Sequence, residues 1–432
     1  MQLKSPQCAI TRCAQPMVGL KQARSPQDER LITAIFETNH PPDKISTTQQ
    51  NLIVDARPLA NAVANQAIGA GSENMDHYKN AKKVYLGIEN IHVIRESLGK
   101  VIDALKDVDL SPFPPNREGL HRSGWLKHIG LILEGTALIV DTIHLRHSHV
   151  VLHCSDGWDR TTQLSALAQI CLDPYHRTLD GFICLIEKEW LSFGHQFALR
   201  SGNLSSEKFF LDHFLTASPV PEDSMGGDSA HPSISAAEAT RPVRTTLRDM
   251  VGQAKLSLTK SKSSNPYLKD TSPIFHQFLD CVFQLLYLNP TRFEFNERFL
   301  KRLLYHLYSC QYGTFLHNNE KERLEGDVKT RTKSVWGYFL SRRKEFIDPA
   351  FDASKDDADA VLWPPTDVRN IRWWSNAFGR SDSEMIGLVV PARADVSGMT
   401  QEMTQVNISS TSSESNHLDE TGRITDDNLT VA

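Results

Sequence analysis

His147-Ser-His-Val-Val-Leu-His153 runs into Cys154-Ser-Asp-Gly-Trp-Asp-Arg160 and then into Thr161-Thr-Gln-Leu-Ser-Ala-Leu-Ala-Gln-Ile-Cys-Leu172. Val150, Val151 and Leu152 make a short, apolar, mostly β-branched run of the kind a buried strand uses. Leu164, Leu167, Ala168 and Cys171 recur at the spacing of one helix face. The local order is therefore strand, short loop, helix.

That order has a chemical consequence. Backbone N–H groups of the loop and the helix N-terminus converge on one spot and make an anion site. The same field stabilises a thiolate, so Cys154 is expected to be a nucleophile near neutral pH. A thiolate can attack phosphorus and form a phosphocysteine. Arg160 lies at C-x5-R spacing, and its planar fork can hold two equatorial oxygens of a transferring phosphoryl group. Gly157 relieves the tight backbone. Asp159 and Asp156 are the candidate general acids, with Asp159 preferred and bracing of Arg160 or helix capping as the structural alternative. His153 is read as a group supporting the thiolate. A second C-x5-R, Cys171 to Arg177, has no preceding strand and no glycine, and Pro174 interrupts it. Its cysteine falls on the inner helix face and is assigned to the core.

Outward from this segment, 432 residues with 40% hydrophobic and 23% charged content suffice for a large core. A formal charge of −5 argues against a general nucleic-acid binder. Seven cysteines, an odd number without framework or C-x-x-C spacing, fit a reducing compartment and suggest no metal site. The N-terminus lacks the apolar core of a signal peptide, and Ile129 to Val140 is too short to span a membrane. A soluble protein with peripheral membrane contact is expected. Asn51 to Asp55 and Tyr85 to Ile88 read as strands, Ala60 to Gly71 as a turned loop near a ligand, and Asp109 to Asn116 as a loop. Trp125 to Leu145, Phe275 to Leu288 and Phe295 to Tyr308 read as helices. Residues 335–378 hold four of the seven tryptophans and are expected to be packed. Residues 1–203 and 272–380 are assigned to one domain. Residues 204–271 are read as a mostly disordered insertion, with Phe209 to Leu215 as an ordered edge, and 381–432 as a disordered tail.

His153 to Thr161, HCSDGWDRT, resembles the active-site loop of the myotubularin lipid phosphatases. Asp55-Ala-Arg-Pro58 with Asn61 to Asn65, Gly87 to Arg95, Glu187 to His195, Phe293 to Asn296 and Leu307 to Cys310 are similar to family blocks in family order. The resemblance implies an α/β fold, cysteine-phosphatase-like, with a largely parallel central sheet flanked by many helices. It implies hydrolysis of the 3-phosphate of phosphatidylinositol 3-phosphate and phosphatidylinositol 3,5-bisphosphate, with no metal or other cofactor. Substrate contacts would fall on Asn65, Asn90, Ile91, Ser155, Asp156, Gly157, Trp158 and Arg200, beside the catalytic Cys154, Asp159 and Arg160. Arg200 is expected on the second phosphate of the bisphosphate.

Gln196 stands where the family carries Lys or Arg, and Thr11 to Pro16 resembles an internal block, so the family's N-terminal pleckstrin-homology-like domain is expected to be missing. Trp190 and Phe193 are read as core rather than membrane-inserting. The implied partners are a phosphoinositide at a membrane surface and a related phosphatase in a homo- or hetero-oligomer. The implied location is cytoplasmic, peripheral to endosomal or vacuolar membranes. The competing readings are an inactive regulator of an active relative and a dual-specificity protein phosphatase.

Overall fold

Four short strands form one wholly parallel sheet in the order β1-β4-β2-β3. They are β1 (Ile10–Cys13), β2 (Asn51–Asp55), β3 (Ala81–Tyr85) and β4 (Val150–His153). The structure is a computed structural model that describes residues 8–38, 50–79, 81–106, 115–202, 269–356 and 361–386. His153 lies beside Cys13 on one side and Asp55 on the other, so three strand ends are level where the 154–160 loop begins.

Parallel neighbours need crossover connections. Here they carry α1 (Pro26–Glu37), α2 (Leu59–Asn65), α3 (Ile91–Leu105), α4 (Arg117–Ser123) and α5 (Trp125–His144). Beyond β4 come α6 (Arg160–Leu172), α7 (Leu179–Leu185), a π-helical turn (Ile186–Ser192), α8 (Phe197–Ser201), α9 (Ile274–Leu288) and α10 (Glu297–Ser309). Alternation along the strands splits the core. Ile53 and Val151 face Ile32 and Phe36 of α1, whereas Leu52, Val54, Val150 and Leu152 join the large cluster with α5, α6 and α9. Both faces are thus covered, as a parallel sheet requires.

The helix that carries Arg160 is deeply enclosed. From Arg160 to Ala168 every residue of α6 is buried. Gln163 Nε2 donates to the Ile274 carbonyl at 3.1 Å and to Gln277 Oε1 at 2.9 Å, which ties α6 to α9.

The α/β reading holds, and the expected strand at Val150–Leu152 and the helices at 125–145, 275–288 and 295–308 are β4, α5, α9 and α10 to within two residues. Three readings are corrected. The strand expected at Tyr85 to Ile88 is instead β3, which ends at Tyr85. It is an edge strand that tolerates Lys82 and Lys83, while Gly87 at φ +71° turns the chain away. Ala60 to Gly71 is not a loop throughout: α2 runs to Asn65 and a 3-10 turn follows, ended by Gly69 in the left-handed region. Of the four tryptophans in 335–378, Trp336, Trp373 and Trp374 are buried and Trp363 is exposed. The disordered tail read from residue 381 is corrected at its start, where Asp382–Ile386 is helical and Met385 is buried; the readings for 209–215, for nearly all of 204–271, for 109–114 and for 387–432 lie outside the described residues. Among the described residues no helix is long and apolar enough to cross a membrane.

Candidate active site

Ligands of open parallel sheets bind outside the carboxyl ends of the strands, and residues 154–160 leave β4 at that edge. Gly157 has φ +86°, and a Cβ there would stand 2.7 Å from the Cys13 carbonyl oxygen. Only glycine lets the loop curl this closely over β1. The Gly157 N–H then points at Cys154 Sγ, 3.3 Å away. Arg160 Nη1 donates to the Ile88 carbonyl at 3.2 Å and Nη2 to Ser155 Oγ at 3.3 Å, which returns its fork to the start of the loop.

Cys154 is buried. Burial alone raises a thiol, but the Arg160 charge, the Thr161 hydroxyl and backbone N–H, and the Gly157 N–H outweigh it, and the net shift is downward from the ordinary 9.0. Cys171, in the helix that follows the loop, is the control. It has burial without the cradle, and its thiol is pushed up to about 12. The sequence assignment of Cys171 to the core agrees with this.

The two loop aspartates differ sharply. Asp159 is buried, receives Arg200 Nη2 at 2.8 Å, and lies 2.9 Å from His195 Nδ1. Burial opposes its ionisation, but His195 and Arg200 overcome that and hold its carboxyl down at about 2. Asp156 is the exposed carboxylate of the loop. Partial desolvation and the neighbouring Asp159 charge raise its carboxyl above the ordinary 3.8, against the pull of Arg160 and Arg200.

His153 bridges Glu73 at 3.1 Å through Nε2 and the Cys154 carbonyl at 3.1 Å through Nδ1. A carboxylate and a carbonyl accept hydrogen bonds, so both contacts favour the protonated ring. Burial disfavours that charge, yet the Glu73 contact wins and the imidazole is raised above 6.5. Asp55 and Arg57 form a second buried pair at 2.7 Å, and Arg57 also bonds Gln15 Oε1.

The other expected residues have definite places. Asn65 Nδ2 donates to Gln15 Oε1 at 3.2 Å, and the Gln15 N–H donates to the Ser155 carbonyl at 3.0 Å, so Asn65 is joined to the loop through Gln15. Asn90 caps α3, accepting from the His92 N–H at 2.9 Å and the Val93 N–H at 3.2 Å. The Ile91 carbonyl accepts from Ser272 Oγ at 2.8 Å, and Ser272 N–H donates to the Arg200 carbonyl at 2.9 Å. The Trp158 carbonyl accepts from Thr162 Oγ1 at 2.8 Å. Trp190 is fully buried against His195, but Phe193 is not core: it is 48% exposed, with the Arg12 guanidinium 4.3 Å from its ring centre.

Sequence reasoning assigned no role to Arg12, Glu73, Glu189 or His195. Arg12 Nη2 donates to the Gly157 carbonyl and to Thr162 Oγ1, both at 2.6 Å, while Nη1 meets Glu189 Oε2 at 2.7 Å. Glu189 is aimed inward from the π-helical turn, a distortion often found beside functional sites. A signal was present, since Arg12, Glu189 and His195 lie in blocks quoted for the resemblance. What was missing was that distant segments meet there.

Residues 2–324 match the myotubularin-like phosphatase domain. The chain is 40% identical over 422 residues to a phosphoinositide 3-phosphatase of Saccharomyces cerevisiae, covering 88% of this chain and 60% of that protein. It is 40% identical over 388 residues to a phosphatidylinositol-3,5-bisphosphate 3-phosphatase of Bos taurus, covering 88% and 48%. With a phosphatidylinositol-3-phosphate phosphatase of Homo sapiens it shares 36% over 386 residues, again 88% and 48%. The chain thus spans about half the length of most of these relatives. With a cysteine loop of this geometry inside a match of this extent, the chain belongs to the myotubularin-like phosphatase family.

Proposed function

We propose that this chain is a lipid phosphatase that removes the 3-phosphate from phosphatidylinositol 3-phosphate and phosphatidylinositol 3,5-bisphosphate through a phosphocysteine. The observation that carries the reading is the lowered thiol of Cys154, set in a backbone cradle under Arg160. The names of the similar proteins support the inositol lipid as substrate class.

The Cys154 thiolate attacks phosphorus as the bond to the inositol 3-oxygen breaks. Arg160 and the loop N–H groups hold the equatorial oxygens. Asp156 gives its proton to the leaving oxygen. Asp159 does not serve in that step, because the contacts from His195 and Arg200 hold its carboxyl well down. Water then attacks phosphorus, the P–S bond breaks, Asp156 takes the water's proton, and thiolate and inorganic phosphate are released. Asp159 orients Arg200, which remains the candidate for a second phosphate. Ser155, Gly157 and Trp158 contribute backbone to the cradle, and Asn65, Asn90 and Ile91 border the headgroup. The protein acts at the cytoplasmic face of endosomal or vacuolar membranes as a peripheral enzyme, alone or paired with a related phosphatase.

The test is phosphate release from phosphatidylinositol 3-phosphate in vesicles, beside Cys154→Ser and a panel of phosphopeptides. Release that vanishes in the variant, with phosphopeptides untouched, is expected. Preferential hydrolysis of phosphopeptides, or a folded chain without lipid activity, overturns the reading.

A further inference from the structure

Because the four strands are parallel, the segments that follow β1 and β2 emerge at the same edge as the catalytic loop. They are joined to one another and to that loop. Gly19 N–H donates to the Ala70 carbonyl at 2.9 Å, and Gln15 N–H donates to the Ser155 carbonyl at 3.0 Å. A Cβ on Gly19 would lie 3.2 Å from Gly69 Cα, so the two backbones are in contact. These joined segments present Met17, Leu20, Leu59, Val63 and Ile68 to solvent. They make up five of the fifteen large apolar side chains that are exposed among the described residues. Ile68 is 77% exposed and Leu20 is 73% exposed. Single exposed apolar residues are ordinary, but a group of them beside a site marks an interaction surface.

Charge points to the occupant. The chain has a formal charge of −5, yet residues 14–24 and 58–71 contain no Asp or Glu. Their cations are Arg24, paired with Glu29, and the exposed Lys21. Apolar side chains with a cation and no acid suit an anionic bilayer, where binding sums buried apolar area and attraction to lipid charge. A protein seated on this face would stand beside the catalytic loop and obstruct it, whereas a bilayer would bring the headgroup to it. We propose that Met17, Leu20, Val63 and Ile68, with Lys21, form the bilayer-docking rim of this chain. The proposal rests on the lipid-phosphatase reading and adds the surface by which the enzyme reaches its substrate.

Binding is measured with the full chain carrying Cys154→Ser and vesicles of phosphatidylcholine and phosphatidylserine that contain no phosphoinositide. Leu20→Asp with Ile68→Asp is expected to weaken partitioning on the order of tenfold, and Lys21→Glu to weaken it on anionic vesicles only. Leu20→Ser with Ile68→Ser serves as the milder pair should the aspartates lower the melting temperature. In the active chain, the same pairs should slow hydrolysis of vesicle-embedded phosphatidylinositol 3-phosphate and leave a water-soluble short-chain analogue unaffected. Unchanged partitioning, equal losses on both substrates, or dissociation of a dimer with no change in vesicle binding would each overturn the proposal. Absence of turnover with the partitioning differences retained would sink the phosphatase reading alone.

Discussion

Asp159 and Arg200 lock together 41 residues apart in sequence, with Nη2 at 2.8 Å and Nε at 3.2 Å from the same carboxylate oxygen. His195 completes the arrangement at 2.9 Å from the other oxygen. An acid held by two donors from outside the loop is a strut. This pair fixes the end of the loop against α8.

The strut has a signature in acid. The Asp159 carboxyl sits at about 2 in the fold, below its ordinary 3.8. A depressed carboxyl contributes stability that is present above the unfolded value and lost as pH falls through the folded one. Between pH 4 and pH 2 the wild type should therefore lose about 2 kcal/mol more than Asp159→Asn in urea unfolding. Parallel losses in the two proteins would remove the strut from the account.

Asp156→Asn should separate the acid from the cradle. With an inositol lipid, whose leaving alkoxide needs a proton, kcat should fall by about 10²–10⁴. With an activated aryl phosphate, whose leaving group departs unprotonated, the loss should be small. Because the Asp156 carboxyl is raised, the basic limb of the lipid profile should lie above the ordinary aspartate range and vanish in the variant. An equal loss on both substrates would assign Asp156 to loop structure.

Arg12 holds the back of the loop. Arg12→Ala leaves the buried Glu189 with only the exposed Lys188 at 3.2 Å as a cation, which should cost up to about 3 kcal/mol of stability. Arg12→Lys keeps the charge but gives up the fork that joins Gly157, Thr162 and Glu189. It should fold, with kcat down about tenfold or more and KM little changed. Full activity in Arg12→Lys would show that charge alone suffices.

Gly157→Ala should abolish measurable turnover, because the added methyl meets the Cys13 carbonyl and the backbone is left-handed. The expected stability loss is about 1–3 kcal/mol, since the loop can shift outward at the expense of the N–H to Cys154. Reaction with iodoacetamide reads the displacement: the pH midpoint of Cys154 alkylation should rise towards that of an ordinary thiol.

His276 is buried among Trp125, Trp374 and Phe378 and is pushed down by desolvation to about 3. The unfolded chain protonates this ring near 6.5, and the fold does not. A depressed base therefore favours the fold above pH 6.5, and that contribution is lost as pH falls. From pH 7 to pH 5 the wild type should lose about 2 kcal/mol more than His276→Phe. A difference independent of pH would mean that water reaches the ring.

Much of the catalytic loop could be read locally. A β-branched run, a cysteine, a glycine, an arginine at fixed spacing and a helical face are all contiguous, so strand, cradle and helix follow from short-range rules. Hence Cys154 could be told from Cys171, whose flanks lack those features. The local reading preferred Asp159 over Asp156 as the acid, because nothing within the loop's own sequence shows which of the two is tied to distant partners. What separates them is a distant arginine and histidine that burial brings to one and not the other. The edge strand was misplaced for a similar reason: lysines on β3 are tolerated only because that strand has one neighbour.

By itself the sequence determined the family and singled out Cys154 as the candidate nucleophile in an anion cradle, because these depend on residues adjacent in the chain. Only the tertiary structure decided which aspartate stays ionised, that Arg12 and Glu189 brace the loop, and that the exposed apolar residues after β1 and β2 stand beside the site. Charge pairing in a low-dielectric interior and the common exit of parallel strands act across sequence separations that no local pattern encodes.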